Sequence, residues 1–377
     1  MGDINRKLLV VFVDAFGADQ LQRLEGLLGS LPNRKPLRGI VGYTSAALPT
    51  ILTGEPPSVH GRMCLFSAHE GPGNSVLQPL RWLGLLPRFV HERRRVRRIA
   101  ELLLSKAAGL TGYVALHRVP PEHFHWLDLP ERDDMFNAET VGGARTFLSD
   151  ARSAGLSVYS SPWQTPEPTR WEQALSSLRT HSPDLTFLYC AELDAVMHRE
   201  GNRGPEAPDV MQRIVQNIDR AREELMRGGA DLTTIVVGDH GMADVHTDVD
   251  PSDVLTRLPN MRVFVDSTMM RFWGDNHQLD RARLEIERAD LPGQWLDHRM
   301  LKEREVPAER YGRAILMLKE GAIFSPSFLG GHVAGMHGYD LATPSAKAAL
   351  ASDKPIPAGC DSLASIAKMI REQLGLT

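Results

Sequence analysis

Apolar and polar positions along this chain fall into blocks that predict strands and helices in turn. Residues 7–13 (KLLVVFV) form a continuous, partly β-branched apolar run of strand length and read as a buried strand. Residues 19–28 place Leu21, Leu24, Leu27 and Leu28 at helical spacing and predict the return helix. Residues 37–41 predict a second strand, followed by Thr44 and a helical segment to residue 52. Residues 184–190 (DLTFLYC) predict a third strand and 232–237 (LTTIVV) a fourth. Between these two, residues 209–227 put Val210, Ile214, Ile218 and Leu225 on one helical face. A last helix is predicted at about 362–374. Strands alternating with helices imply an α/β fold, a doubly wound and mainly parallel sheet with right-handed crossovers. Such sheets bind ligands outside the carboxyl ends of their strands.

Two segments interrupt the alternation. Residues 66–141, rich in Pro, Arg, His and Trp, read as an insertion near the site. Residues 247–331 carry their own strand signals (MRVFVD, STMMRFW, RAILMLK) and a helix around 279–288, which predicts an inserted α+β cap. The catalytic core is then 1–246 together with 332–377.

Composition narrows the classes. A chain of 377 residues can build a large α/β domain with insertions. With 42% hydrophobic and 24% charged residues it is globular. The formal net charge of -4 argues against binding a nucleic-acid polymer, but not against a small anionic substrate whose charge metal ions offset. No stretch is long and apolar enough to span a membrane, and the first apolar run is too short for a secretory signal. Cys64, Cys190 and Cys360 have no motif spacing, and reduced thiols in the cytoplasm are expected. The oligomeric state is not legible in the sequence.

The candidate chemistry lies at predicted strand ends. Asp239 and His240 (VVGDHGM) follow a strand directly, where both side chains can turn to one ion, or where they form a turn Asp and a surface His. Asp194 and His198 (AELDAVMH) are four apart, on one face of a helix, as metal ligands or as a solvent-exposed pair. Asp14 ends the first strand, as a ligand or a helix N-cap. His337 lies in a glycine-flanked loop (GMHGYD), with His332 as a rival. Thr44 opens a helix, either as an N-cap or as a hydroxyl activated by a divalent cation, with Ser45 the nearest rival nucleophile.

Taken together, the order Asp, Thr, Asp-x-x-x-His, Asp-His, His resembles the alkaline phosphatase superfamily and, within it, the nucleotide pyrophosphatase/phosphodiesterase family. In that family a Thr lies ten residues before the Gly of a Thr-Gly pair followed by a Pro-x-Ser-x-His-Gly-like stretch. Here Thr44 lies ten before Gly54 of Thr53-Gly54, followed by Pro57-Ser58-Val59-His60-Gly61. The family's Asp-His-Gly-Met and His-Gly-Tyr-Asp motifs match Asp239 to Met242 and His337 to Asp340. The resemblance spans the core but not the two insertions.

The resemblance implies an alkaline-phosphatase-like core and two divalent metal ions, zinc first, with manganese or iron tolerated by mixed oxygen and nitrogen ligands. Asp14, Thr44, Asp239 and His240 would hold one metal, and Asp194, His198 and His337 the other. It further implies hydrolysis of a phosphodiester or nucleotide pyrophosphate bond, with Thr44 as nucleophile and a phospho-threonine intermediate. The expected partner is a small phosphorylated compound. Alternatives on the same core are a phosphomonoesterase, a phosphonate hydrolase or a phosphoryl transferase, and beyond these an inactive metal-binding module.

The chain departs from the family where Pro and Asn commonly follow the nucleophile, since Ala46 and Ala47 stand there. The Asn helps to bind a phosphoryl oxygen. Tyr43, Ser45 or a cap residue must supply that contact, and Tyr339 is a further candidate for touching substrate. A sulfatase pattern wants Cys or Ser with Pro and Arg at the second and fourth following positions, and Ala46 and Leu48 stand there, which argues against a sulfatase.

One charge run stands apart, residues 93–98 (RRRVRR), which at helical spacing sets Arg94 and Arg98 on one face. It reads as a solvated helix face, a contact for substrate phosphate, or, with apolar Trp82, Leu83, Leu85, Leu86 and Phe89, an interfacial patch for anionic lipid. His123, Phe124, His125 and Trp126 suit packing within the insertion, or stacking on a base or head group.

Overall fold

The structure, a computed structural model, describes residues 6–69, 75–87, 93–114 and 119–376. The strands that organise it are β1 (Arg6–Val13), β2 (Asn33–Leu37), β3 (Val158–Ser160), β4 (Leu185–Cys190), β5 (Asp231–Val237), β6 (Arg262–Val265), β7 (Met269–Trp273), β8 (Gly293–Leu296), β9 (Ala314–Leu318) and β10 (Ala348–Ser352). The main helices are α1 (Ala18–Arg23), α2 (Thr44–Thr53), α3 (Arg94–Ala108), α4 (Glu167–His181), α5 (Glu192–Glu200), α6 (Glu206–Met226), α7 (Asn276–Arg288) and α8 (Ala364–Gln373).

Six strands form the central sheet in the order β2-β10-β5-β1-β4-β3. β1 pairs in parallel with β4 and β5, and β3 in parallel with β4. β10 runs antiparallel to both β5 and β2. The apolar run of β1 is continuous because both of its faces are covered. Leu9, Val11 and Val13 enter one core with α4, α5 and α6, and Leu8, Val10 and Phe12 enter the other with α2 and α8. The sheet is therefore doubly wound, and Asp14 and Asp239 leave it at the carboxyl ends of two adjacent central strands.

Two elements differ from the sequence reading. The second strand is Asn33–Leu37, not 37–41. It is an edge strand, half exposed, so its residues are polar and carry no apolar run. The apolar run that predicted a strand is a connector, in which Val41 is buried against the inserted cap. The helix expected over 19–28 stops at Arg23 and continues as a 3-10 turn, Glu25–Leu27, with Gly26 at its centre.

Residues 247–331 hold a second sheet in the order β6-β7-β9-β8, entirely antiparallel, with α7 on its core. The insertion at 66–141 contributes α3 and short paired strands. A fully buried ion pair within the cap holds the arginine that reaches the other insertion. Arg271 on β7 lies with its Nε 2.5 Å from Asp266 Oδ2, both side chains 0% exposed. Its Nη1 donates to the Phe66 carbonyl at 2.9 Å. The guanidinium also sits over the rings of Phe264 and Trp273.

Helix α2 is anchored by His60, whose Nε2 is 3.0 Å from Thr50 Oγ1 and whose Nδ1 accepts from the Arg62 backbone N–H. Burial, reinforced by the Arg62 charge, pushes this imidazole down to about 3.

Two outcomes are expected. Asp266→Ala leaves a buried, uncompensated guanidinium and destabilises the fold by about 3–5 kcal/mol, read as a urea midpoint shift; a change under about 1 kcal/mol contradicts the clasp. Between pH 6.5 and about 3 the unfolded chain takes up a proton on His60 that the folded chain refuses, so stability falls as pH drops through that window. His60→Gln is less stable at pH 7 but shows a shallower acid limb in the same unfolding series. An acid limb identical to that of the wild type refutes this role.

Candidate active site

The carboxyl ends of β1, β4 and β5 bring Asp14, Asp194, His198, Asp239 and His240 to one place, and the loop after the cap delivers His337. Gly238 permits the closest approach. A Cβ there would lie 1.9 Å from the Phe16 carbonyl oxygen, so only glycine lets the end of β5 fold over the loop after β1. In that loop Ala15 takes a left-handed φ of 62°, a strained conformation for a residue with a Cβ. It aims the Ala15 N–H at Asp239 Oδ1, 3.1 Å away.

Thr44 starts α2, with its hydroxyl 3.3 Å from Asp14 Oδ1 and 3.2 Å from His240 Nε2. His240 Nδ1 is held by the Gly241 carbonyl at 2.9 Å, which fixes the ring so that Nε2 faces Thr44, Asp14 and Asp239. His198 is oriented in the same way, Nδ1 to the Gly335 carbonyl at 2.8 Å, with Nε2 3.3 Å from Asp194 Oδ1. His337 Nε2 lies 3.7 Å from the same oxygen, and its ring stacks on His240 with centroids 3.6 Å apart. Donor atoms of Asp194, His198 and His337 lie within 4.8 Å of one another, as do those of Asp14, Asp194 and His240.

The electrostatics of this cluster are unfavourable as they stand. Burial raises Asp14 well above the usual carboxylate range, and the charges of Asp239 and Asp194 add to it. Asp194 is raised by burial and by Asp239, against the pull of His198 and His240. For His240 burial works downward, but Asp239, Asp14 and Asp194 outweigh it and lift the imidazole to about 10. His337 is driven well below its ordinary value by burial and by the facing His240 and His198. Asp194 Oδ1, Asp239 Oδ2 and His337 Nδ1 are buried without a hydrogen-bond partner. Buried oxygen and nitrogen donors left unpaired among like charges are the chemistry of a site that takes divalent cations, so these residues fit a two-metal centre.

A cavity of about 430 Å³ opens beside Thr44. Ser45 and Leu48 of α2 line it, whereas Ala46 and Ala47 are buried away from it. The insertion supplies Tyr113, Glu131 and Phe136, and the loop after β3 supplies Trp163. The rings of Tyr113 and Trp163 meet edge to face at 6.1 Å. Glu131 is buried, linked to the Ser45 hydroxyl, and raised above its ordinary value by burial.

Three sequence candidates take other places. Tyr339 is buried, its hydroxyl donating to the Ala322 carbonyl, so it braces the cap and does not face substrate. Tyr43 borders the cavity, but its hydroxyl bonds Thr268 at 2.9 Å, which commits it to holding the cap onto the start of α2. His332 is exposed and pairs with Asp248, away from the cluster. Sequence reading missed Tyr189, whose hydroxyl donates to Asp14 Oδ2 at 3.1 Å, and the pocket residues Glu131, Tyr113 and Trp163. Tyr189 lies on the third predicted strand, five residues before Asp194, and that register was a usable signal.

The fold has counterparts among known proteins. A profile of the type I phosphodiesterase / nucleotide pyrophosphatase family matches residues 8–340. Murine ectonucleotide pyrophosphatase / phosphodiesterase 5 superposes with a TM-score of 0.68 at 15% identity, over 99% of this chain and 96% of that one. The human protein of the same name gives 0.67 at 13% identity with the same coverage. An inactive threonine-to-alanine variant of the murine protein, in complex with AMP, gives 0.67 at 15%, again over 99% and 96%. Matched by the family profile over most of its length, the chain belongs to the type I phosphodiesterase / nucleotide pyrophosphatase family and is a hydrolase of that type.

Proposed function

We propose that the chain hydrolyses phosphodiester or nucleotide pyrophosphate bonds through Thr44, with two divalent cations held by Asp14, Thr44, Asp239 and His240 on one side and by Asp194, His198 and His337 on the other. The observation that carries this reading is the Thr44 hydroxyl, set between Asp14 and His240 and open to the cavity. When bound, the cations would offset the carboxylate charge, acidify the Thr44 hydroxyl and neutralise charge developing on the phosphoryl oxygens. Zinc is the metal the resemblance implies.

The chain's own groups do the rest. Asp14 Oδ1 is within reach of the Thr44 proton. Thr44 Oγ1 attacks phosphorus in line, the P–O bond to the leaving group breaks, and the phosphoryl group rests on Thr44. Water then attacks phosphorus and releases Thr44, so two inversions give net retention. No side chain caps the N-terminus of α2, which leaves its first N–H groups available to a phosphoryl oxygen. The contact that Asn supplies in the family passes here to Ser45, because Ala46 and Ala47 face the core and Tyr43 is engaged by Thr268; the Glu131 carboxyl, raised by burial, donates to Ser45 Oγ when protonated and leaves the Ser45 proton for the phosphoryl oxygen. The walls formed by Tyr113, Trp163 and Phe136 suit a flat group such as a base, in keeping with AMP in the murine neighbour.

Three results are expected. Thr44→Ala lowers kcat on bis-p-nitrophenyl phosphate by roughly a thousandfold or more while the protein keeps most of its bound zinc, measured by elemental analysis. A variant that remains active transfers the nucleophile to Ser45 or water. Zinc-loaded enzyme gives a kcat/KM ratio well above one for bis-p-nitrophenyl phosphate over p-nitrophenyl phosphate; a ratio well below one turns the reading to a monoesterase or transferase. Chelation removes this activity and added zinc restores it, and activity that survives complete metal removal contradicts the two-metal site.

A further inference from the structure

Most of the large apolar side chains exposed among the described residues fall in one stretch of the insertion, 82–113. The inner face of α3 packs Ala100 and Leu104 onto a small core with Leu80 and Trp126. Its outer face leaves Ile99 58%, Leu102 68% and Leu103 65% exposed. The preceding 3-10 segment, Gln78–Leu85, adds Trp82 at 58% and Leu85 at 76%. A groove of about 530 Å³, lined by Trp82, Leu104, Ala107 and Ala108 among others, joins the two elements. A solvated helix face does not carry branched aliphatic residues at three adjoining positions of one stripe.

Basic residues frame this stripe. Exposed Arg95 and Arg98 lie one turn before Ile99 and Leu102, and exposed Lys106 lies one turn after Leu102 and Leu103. Arg81 stacks on Trp82 at 4.6 Å. By sequence α3 carries five basic residues to one acidic, in a chain of net charge -4, so the positive charge is local. Among the described residues no helix is long and apolar enough to cross a membrane. The side chain of Arg94, and Phe89, lie outside the described residues.

We propose that this face is an interfacial docking surface for an anionic phospholipid bilayer. The apolar stripe enters the boundary between headgroups and acyl chains, and the flanking arginines and lysine hold headgroup phosphates. Charge decides against a second copy as the occupant. Both ends of the stripe are basic, so antiparallel self-pairing sets Arg95 and Arg98 against Lys106, and parallel pairing sets each against itself. One short segment links the face to the active-site cavity, because α3 ends at Ala108, capped by Gly109, and both Gly112 and Tyr113 line that cavity.

The test is co-sedimentation of the full chain with vesicles of phosphatidylcholine and phosphatidylglycerol in equal parts, against phosphatidylcholine alone. At low salt at least tenfold stronger partitioning to the anionic vesicles is expected, declining as salt is added. The double variant Leu102→Glu/Leu103→Glu, whose sites are exposed, loses at least tenfold in partitioning with an unchanged melting temperature. Arg95→Glu/Arg98→Glu loses the preference for phosphatidylglycerol. A wild type that stays in the supernatant with both vesicle types overturns the proposal, as does a Leu102/Leu103 variant that binds like the wild type. Sedimentation velocity showing a wild-type dimer that the same variant converts to monomer would assign the face to a second copy.

Discussion

Crowding of like charge at the ends of adjacent central strands is the constraint on which the rest of this structure depends. Asp14, Asp194 and Asp239 are gathered in one place; burial disfavours the charge of Asp14 and Asp194, Asp239 adds to that cost for both, and Asp194 adds to it for Asp14. The imidazoles of His198 and His240 offset part of that cost, but His337 faces two other imidazoles and is driven toward neutrality. Buried donors that remain unpaired in so dense a cluster are unfavourable for folding alone and favourable for holding cations. The site is therefore a stability liability maintained by the fold around it.

That fold supplies rigidity from both sides. β1 and β5 are buried on both faces, so the residues that follow them have little freedom to relax away from the cluster. Gly238 and the left-handed Ala15 bring the two strand ends closer than ordinary residues allow. On the far side, Tyr43 and Thr268 tie the cap to the residue before α2, and Arg271, held by Asp266, ties the cap to the insertion through the Phe66 carbonyl. Thr44 thus sits at a junction of core, cap and insertion, and the cavity beside it draws walls from all three.

The insertion has two faces with opposite chemistry. Its inner side offers the cavity Tyr113, Phe136 and the buried carboxyl of Glu131. Its outer side presents aliphatic residues between basic ones. Both faces lie outside the central sheet, so their chemistry leaves the strand ends that carry the acidic and imidazole groups undisturbed.

Much of this protein is legible along the chain. The central strands announce themselves because burial on both faces demands unbroken apolar runs, and Asp14, Asp194, Asp239 and His240 follow them because that is where a parallel sheet exposes its ligand site. The edge strand β2 and the three-residue strand β3 are not legible, because a half-exposed or very short strand has no periodicity to read, and buried β10 (AALAS) is not legible because alanine and serine carry little strand signal. Only the tertiary structure decided that Tyr43 and Tyr339 brace the cap, that Tyr189 reaches Asp14, and that Glu131 meets Ser45 across 86 positions of sequence. The division has one physical cause. Burial periodicity and strand-end chemistry are local properties of the chain, whereas the partner of a hydroxyl or a carboxyl is set by how the cap and the insertion pack onto the core.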